Sequence, residues 1–129
     1  DIARHRLAAR VDLLGAVSSP QLAALYSAAD VFVLASHFEG YGMAYAEAMA
    51  HGLPIIGTTG GATVDTVPAT AGVLVEPGNV EALTYALRMV IENEEERRRL
   101  ARGALGAAAD LPTWESTARI VASALERLA

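Results

Sequence analysis

The chain has 129 residues, 53% of them hydrophobic, with no cysteine and a formal net charge of -5. That length supports one domain around a single core, and the cysteine count excludes disulfides and thiolate metal sites. The acidic balance, with no basic patch, argues against a nucleic-acid partner, and no apolar run approaches the ~20 residues of a membrane helix, so no transmembrane segment is expected.

In chain order, Ala3 to Arg10 reads as the tail of a helix, and Val11 to Leu14 as a short strand ending at Gly15. The opening DIARHRLAARVD lacks the apolar centre of a signal peptide, so nothing marks export and a cytoplasmic location is expected. Ser18 or Ser19 can cap the next helix, with Pro20 suited to its first turn. Leu22, Leu25, Tyr26 and Ala29 form its inner stripe. A strand is expected over Val31 to Ala35, followed by a loop with Gly40 and Gly42 and an alanine-rich helix. Gly52 stops that helix, Pro54 follows, and Ile55-Ile56 is a second apolar run. Strand, glycine loop, helix and strand make one βαβ unit, which puts both loops at the same edge of a parallel sheet.

After the glycine- and threonine-rich stretch GTTGGATVDTVP, Val73-Leu74-Val75 is a further strand. Glu76 to Asn79 is turn chemistry, with Asn79 capping a helix whose stripe is Val80, Leu83, Leu87 and Val90. The run Glu94 to Arg99 pairs acids and bases at i,i+3 and i,i+4 and reads as a solvated face. Leu100, Ala104 and Ala107 continue the helix to about Asp110. Leu111-Pro112 breaks the chain, and Thr113 caps a last helix with an apolar stripe of Trp114, Ala118, Val121, Leu125 and Leu128. The lone Trp reads as core or as an interdomain contact in preference to a sugar platform.

Two carboxylates in the central unit need an explanation. Glu39 lies in the loop beyond the strand's carboxyl end. Glu47 lies on the helix, on the stripe of Met43 and Ala50 if that stripe faces the sheet. The alternative is a helix turned so that Glu47 meets water, with Ala46 and Met49 inward. The pattern leaves both open. Three loops should meet at the strand tips: Gly15 to Ser18, Ser36 to Gly42 and Gly57 to Thr63. Their glycines let backbone approach a ligand. The helix start at Gly42-Met43 offers N–H groups to a phosphate or sugar oxygen, and the carboxylates can accept from vicinal hydroxyls.

The segment ASHFEGYGMAYAEAMAHGLPIIGT resembles the donor-site motif of retaining, nucleotide-sugar-dependent glycosyltransferases with the GT-B fold, specifically glycosyltransferase family 4 (glycosyl transferases group 1). The family pattern, roughly S-x-x-E-G-F/Y-G-x-x-x-x-E-A-M-A-x-G-x-P-V/I, is matched from Ser36 through Ile56. VDLLGAVSSPQLAALYSAADVFVLAS resembles the lead-in, and GGATVDTVPATAGVLVEPGN the Gly-Gly loop and next strand, so most of the chain is covered.

The resemblance implies an α/β fold: a Rossmann-like parallel sheet with helices on both faces, the C-terminal half of a GT-B enzyme, lacking its first strand. Residues 1–129 then form one truncated nucleotide-sugar-binding domain, and residues 111–129 a helix that packs on an absent N-terminal, acceptor-binding domain. It implies that Glu39 contacts the transferred sugar near the reacting centre, as the catalytic candidate. Gly40, Tyr41 and Gly42, with Met43 beside them, hold sugar and phosphate, and Glu47 accepts from the ribose hydroxyls. Gly15, Ala16 and Val17 stand beside the base. Gly60 and Gly61 shape the edge of the site. His37, in the same loop, is a further donor-binding candidate. The substrate is a nucleotide-diphosphate sugar, with no cofactor and no metal.

One departure stands out. The family supplies cations from a G-R-x-x-x-x-K-G segment, whereas this chain contains no lysine. Such a fragment is expected to bind donor weakly and to transfer nothing by itself. Its exposed sheet edge favours a homodimer, and the full-length parent is cytoplasmic or peripheral at a membrane.

Among smaller candidates, His51 suits the helix C-terminus, His5 the surface, and Asp65 either the Gly-Gly loop or the cap of a short turn over Thr63 to Val67. Three dispersed histidines have no metal-ligand spacing. A dinucleotide fingerprint fails because Tyr45 stands where the third glycine of Gly40-Tyr41-Gly42 would fall. The remaining rival is a non-enzymatic, flavodoxin-like binding or assembly module.

Overall fold

The computed structural model describes residues 1–127. Three strands, β1 (Phe32–Leu34), β2 (Ile55–Thr58) and β3 (Gly72–Val75), form a parallel sheet in the order β1-β2-β3. Phe32 pairs with Ile55 and Ile55 with Gly72, so the three tips are nearly level. Six helices surround them: α1 (Ser19–Ala28), α2 (Met43–Ala50), α3 (Thr63–Thr66), α4 (Val80–Glu92), α5 (Glu94–Ala109) and α6 (Trp114–Glu126).

β2 is the buried centre, and its alternation divides the core. Ile55 packs with Tyr45, Ala48, Met49 and Ala104 on one side, while Ile56 packs with Ala86, Val90 and Leu100 on the other. Adjacent residues of a strand point to opposite faces, so a continuous apolar run is what a sheet covered on both sides requires. α2 thus covers one face and α4 the other; α5 sends Ala104 to the first and Leu100 to the second.

The helix starts follow their caps. Gln21 Oε1 accepts from the Ser18 N–H at 2.9 Å and from Ser18 Oγ at 2.8 Å, with Pro20 in the first turn. Asn79 Oδ1 accepts from the Ala82 N–H at 3.0 Å, and Thr113 Oγ1 from the Ser116 N–H at 3.1 Å. The expected residues stand at all three N-caps, and the Asn79 and Thr113 side chains accept from the helix, whereas the Ser18 hydroxyl only donates to Gln21.

Several expectations are corrected. Val11 to Leu14 forms no strand, and Leu13 is 83% exposed. An extended apolar run becomes a strand only where a neighbour takes its backbone bonds, and none does so here. Ala3 to Arg10 forms turns in place of a continuous helix. Leu7 N–H donates to Ile2 O and Arg6 N–H to Ala3 O, with Arg6 left-handed at φ 55°, a pattern that closes a single turn.

The long helix expected through Asp110 is two. Asn93 ends α4, and its side chain accepts from the Glu96 N–H at 3.0 Å to start α5. In the charged run, Glu94–Arg98 and Glu96–Arg99 are solvated pairs, yet Arg97 turns inward and donates to Val90 O and Ile91 O. Val80, assigned to the inner stripe of α4, is 72% exposed, and Ala86 takes the buried place. Leu25 of the α1 stripe is likewise exposed, while Leu22 and Tyr26 are half-buried.

The last correction concerns α6. Trp114 is 88% exposed, and Val121 and Leu125 also face outward, so the tryptophan is not core. The apolar spacing identifies one face of a helix, but no described element packs over it. Leu128 lies outside the described residues.

Candidate functional site

The loops leaving β1 and β2 are joined by backbone. Glu39 and Gly61 form an isolated parallel bridge: Glu39 N–H donates to Gly60 O at 3.3 Å, and Ala62 N–H to Glu39 O at 2.9 Å. Thr58 Oγ1 also donates to Ser36 O. This contact explains both glycines. A Cβ on Gly60 would run into the His37 carbonyl, and one on Gly61 into the Glu39 backbone; Gly61 is also left-handed, at φ +71°. Thr63 Oγ1 donates to Gly60 O at 3.0 Å and Thr66 Oγ1 to Tyr41 O at 2.8 Å, so α3 secures the pair from behind. Asp65 sits in the first turn of that short helix, exposed.

Glu39 is half-buried, and one carboxylate oxygen accepts from Ser36 Oγ at 2.6 Å. A carboxylate fixed by its own loop keeps its remaining lone pairs for a ligand. His37 is exposed beside the turn that follows β3; its Cε1 lies 4.0 Å from the Cβ position of Gly78. Glu76 to Asn79 therefore joins the loop cluster, a participant the sequence reading left out. The rule that ligands gather at the carboxyl ends of strands applies to β3 as well and would have found it.

Gly42 is the left-handed N-cap of α2, buried, at φ 79°, and receives the N–H groups of Tyr45 and Ala46. Gly40 and Tyr41 precede it, exposed, and Met43 is 62% exposed. The first N–H groups of any α-helix lack intrahelical partners, so Met43 and Ala44 present donors at this edge.

The orientation of α2 is settled by Tyr45, Ala48 and Met49, all fully buried. Met43, Glu47 and Ala50 form the outward stripe. Of the two orientations left open above, the one with Glu47 toward water holds. Met49 is inward as that reading requires, and the other inward places belong to Tyr45 and Ala48 more than to half-buried Ala46. Tyr26 Oη donates to Glu47 Oε2 at 3.4 Å. Burial, and then the negative charge of Glu47, raise the Tyr26 phenol above its ordinary range. The Tyr26 ring also stacks on His51 at 5.2 Å, and Ser27 Oγ lies 3.4 Å from His51 Nδ1.

Glu47 borders two concavities. One, of about 460 Å³, lies between α2 and the start of α6 and is lined by Tyr41, Met43, Glu47, Leu111, Pro112 and Trp114 among others. The other is a groove between α1 and α2 that includes Tyr26 and His51. Glu39 lines neither, and neither do Gly15, Ala16 or Val17. Those three stand in the unpaired segment before α1, with open space around Gly15. Glu39 is thus grouped with His37, Gly60 and Gly61, and Glu47 with Tyr41 and Met43. The stretch Gly40 to Gly42 connects the two groups. No cluster of three or more metal-ligating side chains occurs among the described residues.

A parallel sheet covered by helices on both faces, with fixed polar loops at the carboxyl tips, defines a Rossmann-like α/β domain of the GT-B type. The glycosyl transferases group 1 family model matches residues 1–105, and the chain belongs to that family. A D-inositol 3-phosphate glycosyltransferase from Nocardioides sp. is 39% identical over 104 residues, 80% of this chain and 22% of that protein. The sucrose-phosphate synthase of Thermosynechococcus elongatus superposes with a TM-score of 0.88 at 31% identity, over 98% of this chain and 32% of that one. The Anabaena protein HepE, solved in complex with UDP, gives 0.86 at 26% identity, over 98% and 35%. The chain spans about a quarter of the length of the curated relatives it matches.

Proposed function

We propose that this chain is the donor-binding part of a retaining glycosyltransferase that uses a nucleotide-diphosphate sugar without a metal. Glu39 contacts the transferred sugar near the reacting carbon. Gly40, Tyr41 and Gly42, with the N–H groups at the start of α2, receive sugar and phosphate oxygens, and His37 closes the same edge. Glu47 accepts from the ribose hydroxyls. The observation that carries the reading is the fixed placement of Glu39: held by Ser36 Oγ at 2.6 Å, in a loop bridged to Gly61, at the carboxyl tips of the sheet. Membership of the glycosyltransferase family supports it.

Transfer needs more than this chain supplies. The departing diphosphate gains charge, which cations stabilise in such reactions. The chain has no lysine, and no arginine lines the cleft beside Glu47. The 129 residues therefore bind donor and do not turn it over, and the acceptor and the missing cations come from further sequence of a longer protein. β1 pairs on one side only among the described residues. That edge is covered in the longer protein and favours self-association without it.

Calorimetric titration with uridine, guanosine and adenosine diphosphate sugars tests the reading, with a turnover assay on the same samples. One of the three should bind, and Glu39→Gln and Glu47→Gln should each weaken it with the circular dichroism unchanged. If both variants bind as the parent does and change only its association state, the chain is an assembly module. Turnover by the chain alone would refute the division of labour.

A further inference from the structure

The amino-terminal edge of the sheet, opposite the strand-tip loops, carries a separate group of polar side chains. Asp30 lies shortly before β1 and Pro54 directly before β2, and a cavity of about 300 Å³ opens between them and the start of α5. Tyr26, Asp30, His51, Glu94, Arg97 and Arg98 are its polar lining. Asp30 and Arg97 also line a neighbouring cavity of about 180 Å³. The charges here are unevenly matched. Arg98 meets Glu94 at 2.6 Å, and Arg99 meets Glu96 at 2.6 Å. Half-buried Arg97 has no carboxylate within ion-pair distance among the described residues, and neither Asp30 nor Arg97 pairs with the other. Arg97 Nη1 donates to Val90 O at 3.1 Å and to Ile91 O at 2.9 Å, which fixes the guanidinium at the end of α4. A guanidinium has five N–H donors in one plane, so those on Nε and Nη2 remain. No side-chain polar atom among the described residues is buried without a partner, so these donors are reachable.

We infer that this cavity is a second ligand site, for a small hydroxylated anion whose phosphate or carboxylate lies on Arg97 and whose hydroxyls reach Asp30. A fixed guanidinium presents the planar fork that both anions accept. A carboxylate that no cation has claimed accepts from hydroxyls. The two groups line one small polar cavity without meeting, so each keeps its capacity for a ligand. A bare anion would meet the charge of Asp30 with nothing to offset it, and a metal ion would meet Arg97. A molecule that is anionic at one end and rich in donors at the other suits both. His51 is held at the wall by its stacking on Tyr26 at 5.2 Å, with Ser27 Oγ 3.4 Å from Nδ1, and Arg98 stands at the rim with its own partner Glu94. The site shares no residue with the cleft between α2 and α6 and lies at the far end of the sheet from Glu39. It is therefore independent of the donor assignment.

The experiment titrates glycerol 3-phosphate, glycerate and glycerol, which differ in one terminal group, into the full isotope-labelled chain. Calorimetric heat and backbone amide shifts are followed together, for the parent and for Arg97→Lys and Asp30→Ala. The inference expects one or both anions to bind and glycerol not to, with shifts at Asp30, Gly52 and Arg98 and none at Gly40 or Gly42. The tighter of the two shows whether the anion is a phosphate or a carboxylate. Arg97→Lys keeps the charge and loses the planar fork, and should weaken binding roughly tenfold, the scale of one charge-assisted hydrogen bond. Asp30→Ala should weaken it as well, although it removes a repelling charge. Asp30 is exposed, so its replacement should leave thermal unfolding unchanged, and it decides the matter even where Arg97→Lys loosens the end of α4. Tighter binding in Asp30→Ala would reduce the site to a bare charge contact and overturn the inference. Shifts centred on Gly40 to Met43, with both variants binding as the parent does, would place the anion at the strand tips and overturn it while agreeing with the donor-binding reading. No heat with either anion overturns it also, and leaves that reading to its own titration.

Discussion

Tyr45 Oη donates a 2.8 Å hydrogen bond to the carbonyl oxygen of Leu34, the last residue of β1. The side chain is fully buried, and a Cβ on Gly57 would collide with its hydroxyl, so ring, strand end and glycine fit as a set. This bond ties α2 to the strand from which the Glu39 loop departs. Tyr45→Phe removes this buried hydrogen bond and should cost about 0.5–1.5 kcal/mol. Urea denaturation of parent and variant measures it, and an unchanged midpoint would deny the tether.

The same tyrosine should shape the alkaline limb of stability. Burial raises its phenol above the ordinary value of 10.0. A group whose pKa is raised on folding stabilises fully below its unfolded value and loses that contribution as pH rises through the folded one. Stability should therefore fall above about pH 10, and less steeply in Tyr45→Phe, as alkaline titration followed by circular dichroism would show.

Glu96 works in the opposite sense. A hydrogen bond from Arg99 holds its carboxyl below the ordinary 4.5. A lowered acid contributes above its unfolded pKa, and the contribution disappears as pH falls through the folded value. Glu96→Gln should flatten the acid limb of the unfolding profile slightly, the pair being solvated. An acid limb identical to the parent's would show that the pair contributes nothing.

Gly103 lies in α5 where a Cβ would strike the Thr70 carbonyl. Alanine normally favours a helix over glycine, yet here it must push α5 away from the turn before β3. Gly103→Ala should destabilise by about 1–3 kcal/mol; a gain in melting temperature would contradict the close approach.

Asn93 caps α5 through its side chain while its backbone ends α4. Asn93→Ala should cost about 0.5–2 kcal/mol, whereas Asn93→Asp should keep the cap. Thermal unfolding of both separates the capping role from general disturbance of the joint.

How much of this was readable beforehand depended on whether a feature is local. The runs at Val31, Ile55 and Val73 became parallel strands, and the caps at Ser18, Asn79 and Thr113 were found, because their chemistry lies within a few residues. Val11 to Leu14 failed because strand formation belongs to a pair, and one sequence segment cannot name its partner. The facing of Glu47 stayed open because α2 is alanine on nearly every side, so no stripe dominated; the buried Tyr45 decided it. Of the two readings of Trp114, core and interdomain contact, only the first is excluded by its exposure: spacing identifies an apolar face but not what lies against it. The Asn93 break was legible in principle, since an asparagine three residues before Glu96 is a start signal inside an apparent helix.

The Glu39–Gly61 bridge carries a consequence for redesign. Segments 36–42 and 59–62 interlock through main-chain atoms, so they behave as one exchangeable cassette. A chimera that imports either segment alone from a relative would mismatch the junction, even where every side chain in the graft is individually acceptable. Under the donor-binding role proposed for Glu39, altering which sugar is held there therefore calls for transplanting both pieces from the same parent.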